Sequence, residues 1–510
     1  MVTRSVIRIA ILLCVYLIVP AFAQSQFNSG YDIDLLTKVE AEAIDFILPR
    51  TLEPVSAAQL AVWGLNGLAS IDPTISVTTK DGSLRLMMGG RTTLDIPLPP
   101  SDPISWAEAS GRVVAAAYLN STPLRQASPQ TVTKVLFDQM LAHLDPWSRY
   151  VPPIEAFGDR DRRVGHAGIG VTLTQRGRQV VVRNVIIASP GAQAGVVPGD
   201  IIQWVDGRTV AGRDHTIAAA MMNGPEGTDL RIGWLSIDGS TRGATLTRVL
   251  IPPETVFPRR LGNVLVIQIT GFSQTTDRNV DVVVRNGLRS GRPISGIVLD
   301  LRGNRGGVLR AAVATADIFL PGGVVVRSSG RAPDANRVWP SLDGELAQGV
   351  RMTVLVDGGT ASAAEVLAAA LADRGRAVVI GSSTFGKGVV QTIDALPDGG
   401  ELFLTWSRLL APRGWPIQSL GVLPQICTSQ GNEALRRQLA ALAAGYAEMA
   451  PALQAHRGAR APVTPDQIVA IRGQCPAADP RETDLAVAVA LVENAASHSA
   501  ALLSIMPDER

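Results

Sequence analysis

Two stretches decide the fold of this chain: Gly358-Gly-Thr-Ala-Ser-Ala-Ala-Glu365 and Gly381-Ser-Ser-Thr-Phe-Gly-Lys-Gly388, with Gln391 close behind the second. An apolar run precedes each stretch, and a run with helical periodicity connects them. These runs are 352–356, 377–380 and 363–372, respectively. Consecutive parallel strands joined by a helix lie near each other in a sheet. The sequence therefore predicts that Ser362 and Lys387 lie at the ends of neighbouring strands.

This placement suits nucleophilic chemistry. A serine hydroxyl is a poor nucleophile until a base takes its proton. Lys387 can be that base only when neutral, and burial can lower its pKa from the usual value of about 10.4. Apolar residues flank it, and no Asp or Glu occurs in 381–392. On a strand, Gln391 would share a face with Lys387, so its amide could orient the amine without adding a charge.

Simpler interpretations of both stretches exist. Ser362-x-x-Glu365 also matches a helix capping box, which requires no catalysis. Gly381 to Lys387 matches most of a phosphate-binding loop, but Gly388 stands where Ser or Thr should bind magnesium. On the catalytic interpretation, the free N–H groups at the start of the helix would stabilise an oxyanion at Ser362.

Taken together, Gly359-Thr-Ala-Ser-Ala-Ala-Glu365 and Thr384-Phe-Gly-Lys-Gly-Val-Val-Gln391, with 25 positions from Ser362 to Lys387, resemble the carboxyl-terminal processing peptidases. These are also called tail-specific proteases, and they use a Ser/Lys dyad with an assisting Gln. The resemblance implies that Ser362 is the nucleophile, Lys387 the general base and Gln391 the orienting residue. Ala364 departs from the family, which often has a second Ser there.

A glycine-rich turn, Arg302-Gly-Asn-Arg-Gly-Gly307, follows the apolar run 296–301. Such a turn at a strand end exposes backbone N–H groups in a concave nest. By resemblance to the family, the N–H groups of Gly307 and Ala363 would form the oxyanion hole. Arg305 replaces the Pro or Ser that is usual in the family.

Residues 161–255 resemble a PDZ domain. Gly168-Ile169-Gly170-Val171 leads into an alternating strand, and 188–207 carries glycines where turns fall and apolar residues for a core. PDZ domains bind a peptide as an added strand and hold its terminal carboxylate with backbone N–H groups. The resemblance implies that 168–171 is this carboxylate loop. The alternative is that Gly168 and Gly170 only make a turn.

Residues 1–23 are typical of a secretory signal peptide. Arg4 and Arg8 precede a short apolar run, and Ala21-Phe-Ala23 gives a cleavage site. This predicts a periplasmic or secreted protein, with an uncleaved membrane anchor as the alternative. Cleavage would leave two cysteines, Cys427 and Cys475, and in an oxidising compartment an even pair suggests a disulfide.

The predicted architecture is multidomain α/β. It comprises a signal peptide at 1–23, a helical N-terminal region at 24–160, the PDZ domain at 161–255, a Ser/Lys protease core at 256–430 and a helical C-terminal extension at 431–510. By resemblance the core is a mixed α/β fold of the Clp-protease/crotonase type. The extension is either a dimer contact or a substrate-handling element, so a homo-oligomer remains open.

Composition excludes several function classes. The 510 residues carry a formal net charge of +2 without blocks of like charge, so no nucleic-acid partner is expected. The five histidines are scattered without metal-ligand spacing, so neither a metal nor another cofactor is expected. The expected function is a serine endopeptidase acting on protein substrates with apolar C-termini. A non-catalytic PDZ scaffold and a nucleotide-binding protein are the alternatives.

Overall fold

A computed structural model describes residues 32–186, 189–342 and 344–503. The predicted signal peptide at 1–23 lies outside these residues. Among the helices in the described ranges, no single one is long and apolar enough to cross a membrane. One pair, Glu482–Glu493 and Ala495–Leu503, meets that criterion by length and composition, but it is bent by 102° at its break.

The N-terminal region contains helices and a small sheet. Its elements are α1 (Ile33–Ile47), α2 (Ala57–Asn66), a 3₁₀ turn (Gly67–Ser70), β1 (Ile75–Lys80), β2 (Ser83–Met88), β3 (Arg91–Pro97), α3 (Pro103–Asn120), α4 (Thr122–Gln126), α5 (Pro129–Ala142), β4 (Arg149–Val151) and α6 (Pro153–Val164). The helices α2 and α5, whose sequences resemble each other, both start at a capping serine and pack together. Gly67 permits this approach, because a Cβ there would lie 2.1 Å from the carbonyl oxygen of Val135.

The N-terminal region was predicted to be mostly helical, and residues 75–97 are an exception, because β1, β2 and β3 form an antiparallel sheet there. Asp81 and Gly82 both have positive φ and turn β1 into β2. Leu84 and Leu86 alternate with more exposed residues, so one face of the sheet packs on the helices. An Asp-Gly turn between alternating runs is a hairpin pattern, and it was overlooked.

The second region, which follows α6, is a six-stranded antiparallel sheet with a helix across it. Its elements are β5 (His166–Gly168), β6 (Val171–Arg176), β7 (Gln179–Val185), α7 (Pro190–Gln193), β8 (Ile201–Val205), β9 (Arg208–Thr209), α8 (His215–Met222), β10 (Asp229–Leu235), β11 (Thr241–Thr247) and β12 (Val249–Ile251). The strand order is β11-β10-β8-β7-β6, with β9 beside β8, so β6 lies at an edge. Helix α8 packs next to β6. Strands β5 and β12 pair separately, where the chain enters and leaves.

The third region holds the main sheet. Its elements are β13 (Val256–Leu261), β14 (Val264–Ile269), α9 (Thr276–Arg289), β15 (Gly296–Asp300), α10 (Leu309–Asp317), β16 (Gly323–Ser329), a 3₁₀ turn (Pro333–Ala335), β17 (Arg337–Ser341), β18 (Arg351–Val356), α11 (Ala363–Asp373), β19 (Val378–Gly381), β20 (Val389–Ala395), β21 (Glu401–Leu410) and β22 (Ile426–Cys427). The strand order of the main sheet is β13-β14-β15-β18-β19-β22. From β14 to β22 every pair is parallel, and β13 is antiparallel. The mixed α/β core is thus confirmed, whereas its assignment to the Clp-protease/crotonase type stays a prediction.

Both faces of the main sheet are covered. One face packs on α9, α10 and α11, and the other on three helices of the C-terminal extension. A second sheet, β17-β16-β21-β20, lies beside the main one, and β4 of the N-terminal region pairs with β21. The parallel strands are buried on both faces, which explains why their sequences are continuous apolar runs.

The C-terminal extension contains five helices. They are α12 (Asn432–Ala443), α13 (Ala450–Gly458), α14 (Pro465–Arg472), α15 (Glu482–Glu493) and α16 (Ala495–Leu503). The helical spacing of apolar residues predicts a single helix over 433–450, with Asn432 as its N-cap, and another over 484–503. Instead Gly431 caps α12, which ends at Ala443 before the positive φ of Gly445, and Pro451 lies in the first turn of α13. The helix expected over 484–503 is divided at Asn494 into α15 and α16.

Candidate active site

Ser362 lies between β18 and α11. Its backbone has φ 57° and ψ −120°, a conformation that costs a non-glycine residue free energy. The strained residue turns the chain sharply from the strand into the helix, and the serine remains half-buried. The strand β18 is flanked by β15 and β19, whose own carboxyl ends carry the glycine-rich turn and the lysine loop. The predicted meeting of these loops at one sheet edge is therefore confirmed.

The glycine-rich turn after β15 packs directly against the serine. A Cβ on Gly306 would lie 2.8 Å from the Cβ of Ser362 and 3.0 Å from the nitrogen of Ala363. Gly307 has φ 137°, and a Cβ there would lie 2.2 Å from the carbonyl oxygen of Phe272. Among the described residues, the N–H groups of Gly307 and Ala363 have no acceptor. Two unpaired donors beside one hydroxyl are what an oxyanion hole requires.

Lys387 lies in the loop after β19, on the other side of Ser362. Burial lowers the pKa of its amine, the positive charge of Arg149 lowers it further, and Asp145 opposes both effects. A lowered pKa increases the neutral fraction, which is the form that can accept a proton. The Lys387 side chain is half-buried, so its amine is more accessible to water than it would be in a closed interior.

Gln391 and Trp147 surround the amine of Lys387. The amine donates a hydrogen bond to Gln391 Oε1 at 3.0 Å, and Gln391 Nε2 donates to the carbonyl oxygen of Trp147 at 2.6 Å. The Trp147 ring lies 5.0 Å from Lys387 Nζ and makes an edge-to-face contact with Phe385. The N-terminal region therefore supplies one wall of the lysine site.

Asp145 holds the turn that carries Trp147. Its carboxylate accepts hydrogen bonds from the N–H groups of Trp147 and Ser148 and from the Thr405 hydroxyl on β21. The turn is thereby fixed to the second sheet, and with it the wall beside Lys387.

A buried carboxylate connects the serine loop to the lysine loop. Glu365 Oε2 accepts from the N–H groups of Ser362 at 2.7 Å and Lys387 at 2.9 Å. Its Oε1 accepts from the Gly386 N–H at 2.6 Å and from the Thr384 hydroxyl. Burial raises the pKa of Glu365, and these hydrogen bonds oppose the rise.

Four donors surround the Glu365 carboxyl group. Three are backbone N–H groups, and the fourth is the Thr384 hydroxyl, which itself accepts from the Val422 N–H. The capping position predicted for Glu365 is thus one part of a larger role. The same carboxylate fixes the distance between the backbones that carry Ser362 and Lys387.

Ser362 Oγ and Lys387 Nζ, which both belong to described residues, are not hydrogen-bonded to each other. The amine is bonded to Gln391 instead. In this state the two side chains share a site without a hydrogen bond between them.

The remaining predicted residues lie away from the serine. Cys427 and Cys475 form a disulfide that joins the end of the core to the C-terminal extension, and both are buried. Gly168 ends β5, Gly170 has φ 73°, and Val171 starts the edge strand β6. Ile169 is buried, and the N–H groups of Ile169 and Gly170 have no acceptor among the residues described. An edge strand, a neighbouring helix and unpaired N–H groups are brought together here.

The arginines of the glycine-rich turn differ in their surroundings. Arg302 makes a bidentate ion pair with Asp300 and lies 3.6 Å from Asp484, which gives it a structural role. Arg305 is exposed and has no ion-pair partner in the described ranges.

Sequence reasoning missed the part played by Trp147, since it and Gln391 are 244 positions apart. It also undervalued Glu365, although a charge within the apolar run of α11 was a visible sign of a buried role.

Comparisons with known proteins identify the family of this chain. Residues 263–428 match the model of peptidase family S41, and 167–237 match that of the PDZ domain. The chain is 34% identical over 297 residues to the carboxy-terminal-processing protease of Bartonella bacilliformis, an alignment that covers 57% of this chain and 68% of the relative. It is 32% identical over 311 residues to the Probable CtpA-like serine protease of Staphylococcus aureus strain bovine RF122, covering 60% and 62%.

Among solved structures, the photosystem II D1 C-terminal processing protease aligns with 75% of this chain and 97% of its own, at 24% identity and a TM-score of 0.37. The chain spans about two thirds of the length of the two bacterial relatives. The chain therefore belongs to the carboxy-terminal-processing proteases, the PDZ-containing serine proteases of peptidase family S41.

Proposed function

We propose that this protein is a periplasmic or secreted endopeptidase in which Ser362 is the nucleophile, Lys387 the general base and Gln391 the residue that orients the lysine. The observation that carries the proposal is the Glu365 carboxylate, which accepts from the N–H groups of both Ser362 and Lys387. Because one buried group holds both backbones, their side chains belong to a single site. Hydrolysis by such a site needs neither a metal nor another cofactor.

The reaction follows from the positions of the groups. Ser362 Oγ attacks the peptide carbonyl carbon while its proton passes to Lys387 Nζ. The oxygen of the tetrahedral intermediate accepts from the N–H groups of Gly307 and Ala363. The C–N bond then breaks, and the leaving amine takes the proton from Lys387. Lys387 Nζ then takes a proton from water, which attacks the ester carbon. The bond between that carbon and Ser362 Oγ breaks, the new carboxyl terminus leaves, and Ser362 Oγ takes the proton back from Lys387.

The lysine must move before the first step. Its amine is held by Gln391 at 3.0 Å, and its four-carbon stem allows it to turn towards Ser362. Substrate binding would complete this rearrangement by excluding water from the site. The hydrogen bond to the neutral Gln391 amide keeps the amine near the serine without adding a negative charge that would favour its protonated form.

Substrate selection is proposed for the PDZ region. The edge strand β6 can accept an added peptide strand, and the loop 168–171 at its start presents unpaired N–H groups for a terminal carboxylate. An apolar C-terminal segment would pack between β6 and α8. Substrates are thus proposed to be proteins with apolar C-termini, with no role for nucleotides or nucleic acids.

The test compares cleavage of an unstructured protein with an apolar C-terminus by the wild type, Ser362→Ala and Lys387→Ala. Loss of cleavage in both variants supports the mechanism, and cleavage by Ser362→Ala refutes it. A variant lacking 166–251 determines whether the PDZ region activates or restrains the core.

A serine-reactive phosphonate separates the protease from the scaffold alternative. Labelling of the wild type but not of Ser362→Ala supports an assembled nucleophile. If neither protein is labelled or cleaves substrate, with or without the PDZ region, the chain is a scaffold. In that case the sheet edge serves only binding.

A further inference from the structure

The C-terminal extension reaches back to all three loops of the candidate active site. The contacts come from residues 472–484, called the return segment below. The N–H of Gly358, in the serine loop, donates to the carbonyl oxygen of Ala478 at 2.8 Å. Ser382, in the lysine loop, exchanges two hydrogen bonds with the Ala478 backbone, both at 3.1 Å. Arg302, in the glycine-rich turn, donates to the carbonyl oxygen of Arg481 at 3.1 Å.

Arg472 begins the return segment and contacts the lysine loop most directly. Its guanidinium donates to the carbonyl oxygens of Thr384 and Leu420, each at 2.9 Å. Thr384 is three residues from Lys387, and its hydroxyl donates to Glu365. A single side chain from the extension therefore fixes the backbone that leads to the general base.

Charge favours the same arrangement. Burial lowers the pKa of the Arg472 guanidinium, and attraction to the Glu365 carboxylate opposes this effect. Glu365 is fully buried and makes no ion pair within 4.0 Å among the described residues, so its attraction to Arg472 acts over more than 4.0 Å. The arginine thus favours a negative charge on the group that holds both loops.

The disulfide secures the return segment. Cys475 lies three residues after Arg472 and is bonded to Cys427 in β22, the strand that pairs with β19. The lysine loop begins where β19 ends. The return segment is therefore covalently attached to the sheet beside the loop that it supports.

An arginine bonded to backbone carbonyls can also be purely structural, and this chain contains one for comparison. Arg376 donates to the carbonyl oxygens of Phe319, Ala347 and Val350 at 2.8 to 3.0 Å. None of these carbonyls belongs to the three loops of the site. The two arginines donate a similar number of hydrogen bonds to backbone carbonyls, but only those of Arg472 reach the lysine loop.

We propose that Arg472 is a positioning residue of the protease, which acts through the Thr384 carbonyl and Glu365 to keep Lys387 in reach of Ser362. The C-terminal extension is then a part of the catalytic apparatus in addition to any role in assembly. This inference rests on the proposed function of Ser362 and Lys387.

The test measures kcat and KM of the full chain for Arg472→Met and for the matched control Arg376→Met. Both substitutions remove a half-buried guanidinium, and Arg376→Met also removes an ion pair with Glu345, so both should lower the melting temperature. Only Arg472→Met should lower kcat, by about 10- to 100-fold for a displacement near 1 Å, with KM changed less than about twofold. Equal kcat in the two variants, per folded molecule, would overturn the inference.

Two further measurements keep the test decisive. Free guanidinium at millimolar concentration should partly restore kcat in Arg472→Ala but not in Arg376→Ala. If Arg472→Met does not fold, Arg472→Lys replaces it, since lysine keeps the charge and loses the fork that spans two carbonyls. An unchanged kcat in a folded Arg472→Lys, together with no guanidinium rescue, contradicts the proposal.

The wild type and Ser362→Ala are assayed in the same experiment. If the wild type cleaves, Ser362→Ala does not, and Arg472→Met keeps its kcat, the inference fails while the proposed function stands. If the wild type neither cleaves substrate nor reacts with a phosphonate, both fail together. The rate of phosphonate labelling in Arg472→Met gives a second readout, which should fall in parallel with kcat.

Discussion

Replacing Gln391 with Glu tests the role of Lys387 most directly. The substitution keeps the size of the side chain and places a negative charge where Gln391 Oε1 now lies, 3.0 Å from the amine of Lys387. A negative charge favours the protonated amine, so the pKa of Lys387 should rise. Because the proposed base must be neutral, activity should shift to higher pH.

The expected size of the shift follows from the distance. At an effective dielectric constant of about 20, Coulomb's law gives roughly 5 kcal/mol for unit charges 3.0 Å apart, or about 4 pKa units. Both side chains are half-buried, and solvent screening removes part of this energy. We therefore expect the acidic limb of the kcat/KM profile to move up by about 2 units, which lowers kcat/KM roughly 100-fold at a pH below both limbs.

The assay is the pH dependence of kcat/KM for peptide cleavage, with Gln391→Met as the control. Met removes the hydrogen bond to the lysine without adding charge, so its acidic limb should move much less than that of Gln391→Glu. An acidic limb that stays in place in Gln391→Glu would refute the assignment of Lys387 as the base. Equal shifts in both variants would mean that the hydrogen bond, rather than the charge, sets the pKa.

Three further predictions follow from the site. Trp147→Ala exposes the lysine amine to water, and burial is the main cause of the lowered pKa of Lys387. The acidic limb of the kcat/KM profile should therefore move to higher pH, by less than in Gln391→Glu, and Trp147→Phe should stay near the wild type. A shift of the limb to lower pH in Trp147→Ala would contradict this. Gly307→Ala places a Cβ 2.2 Å from a carbonyl oxygen and should lower kcat about 10²- to 10³-fold, while Gly303→Ala, which meets no atom within 4 Å, should lower it far less. Double substitution of Cys427 and Cys475 by Ser opens a 48-residue loop and should lower the free energy of unfolding by roughly 4 kcal/mol. Both the melting temperature and kcat should fall. An unchanged kcat per folded molecule would mean that the disulfide does not influence the active site.

The catalytic loops could be predicted from the sequence because their order along the chain is their order in space. Ser362 and Lys387 follow consecutive parallel strands, and short connections keep such strands adjacent. Trp147 and Arg472 could not be found in this way. Each reaches the lysine loop from a separate region, and a contact between distant positions leaves no periodicity in a single sequence.

The helices of the extension illustrate a second limit. Apolar spacing predicted helix at 433–450 and 484–503, and helix is present in both, but each range contains a break. The first break follows from local chemistry at Gly445, which has a positive φ. The second also has a local cause, because the Asn494 side chain accepts from the Ser497 N–H and so caps the start of α16. Apolar spacing alone shows neither break, since it does not register a cap or a positive φ.

The paired strands β5 and β12 have a consequence for engineering. They bring the start and the end of the 166–251 unit side by side, and Gly165 is packed so closely that a Cβ there would lie 2.0 Å from the Ile251 carbonyl oxygen. Neighbouring antiparallel strands are only about 5 Å apart, so a short linker can close the chain when this unit is removed. The 166–251 unit can therefore be exchanged as a whole. A different peptide-binding module with adjacent termini can be fitted at the same two positions, which would redirect the hydrolase to new targets without altering the sheet that carries Ser362.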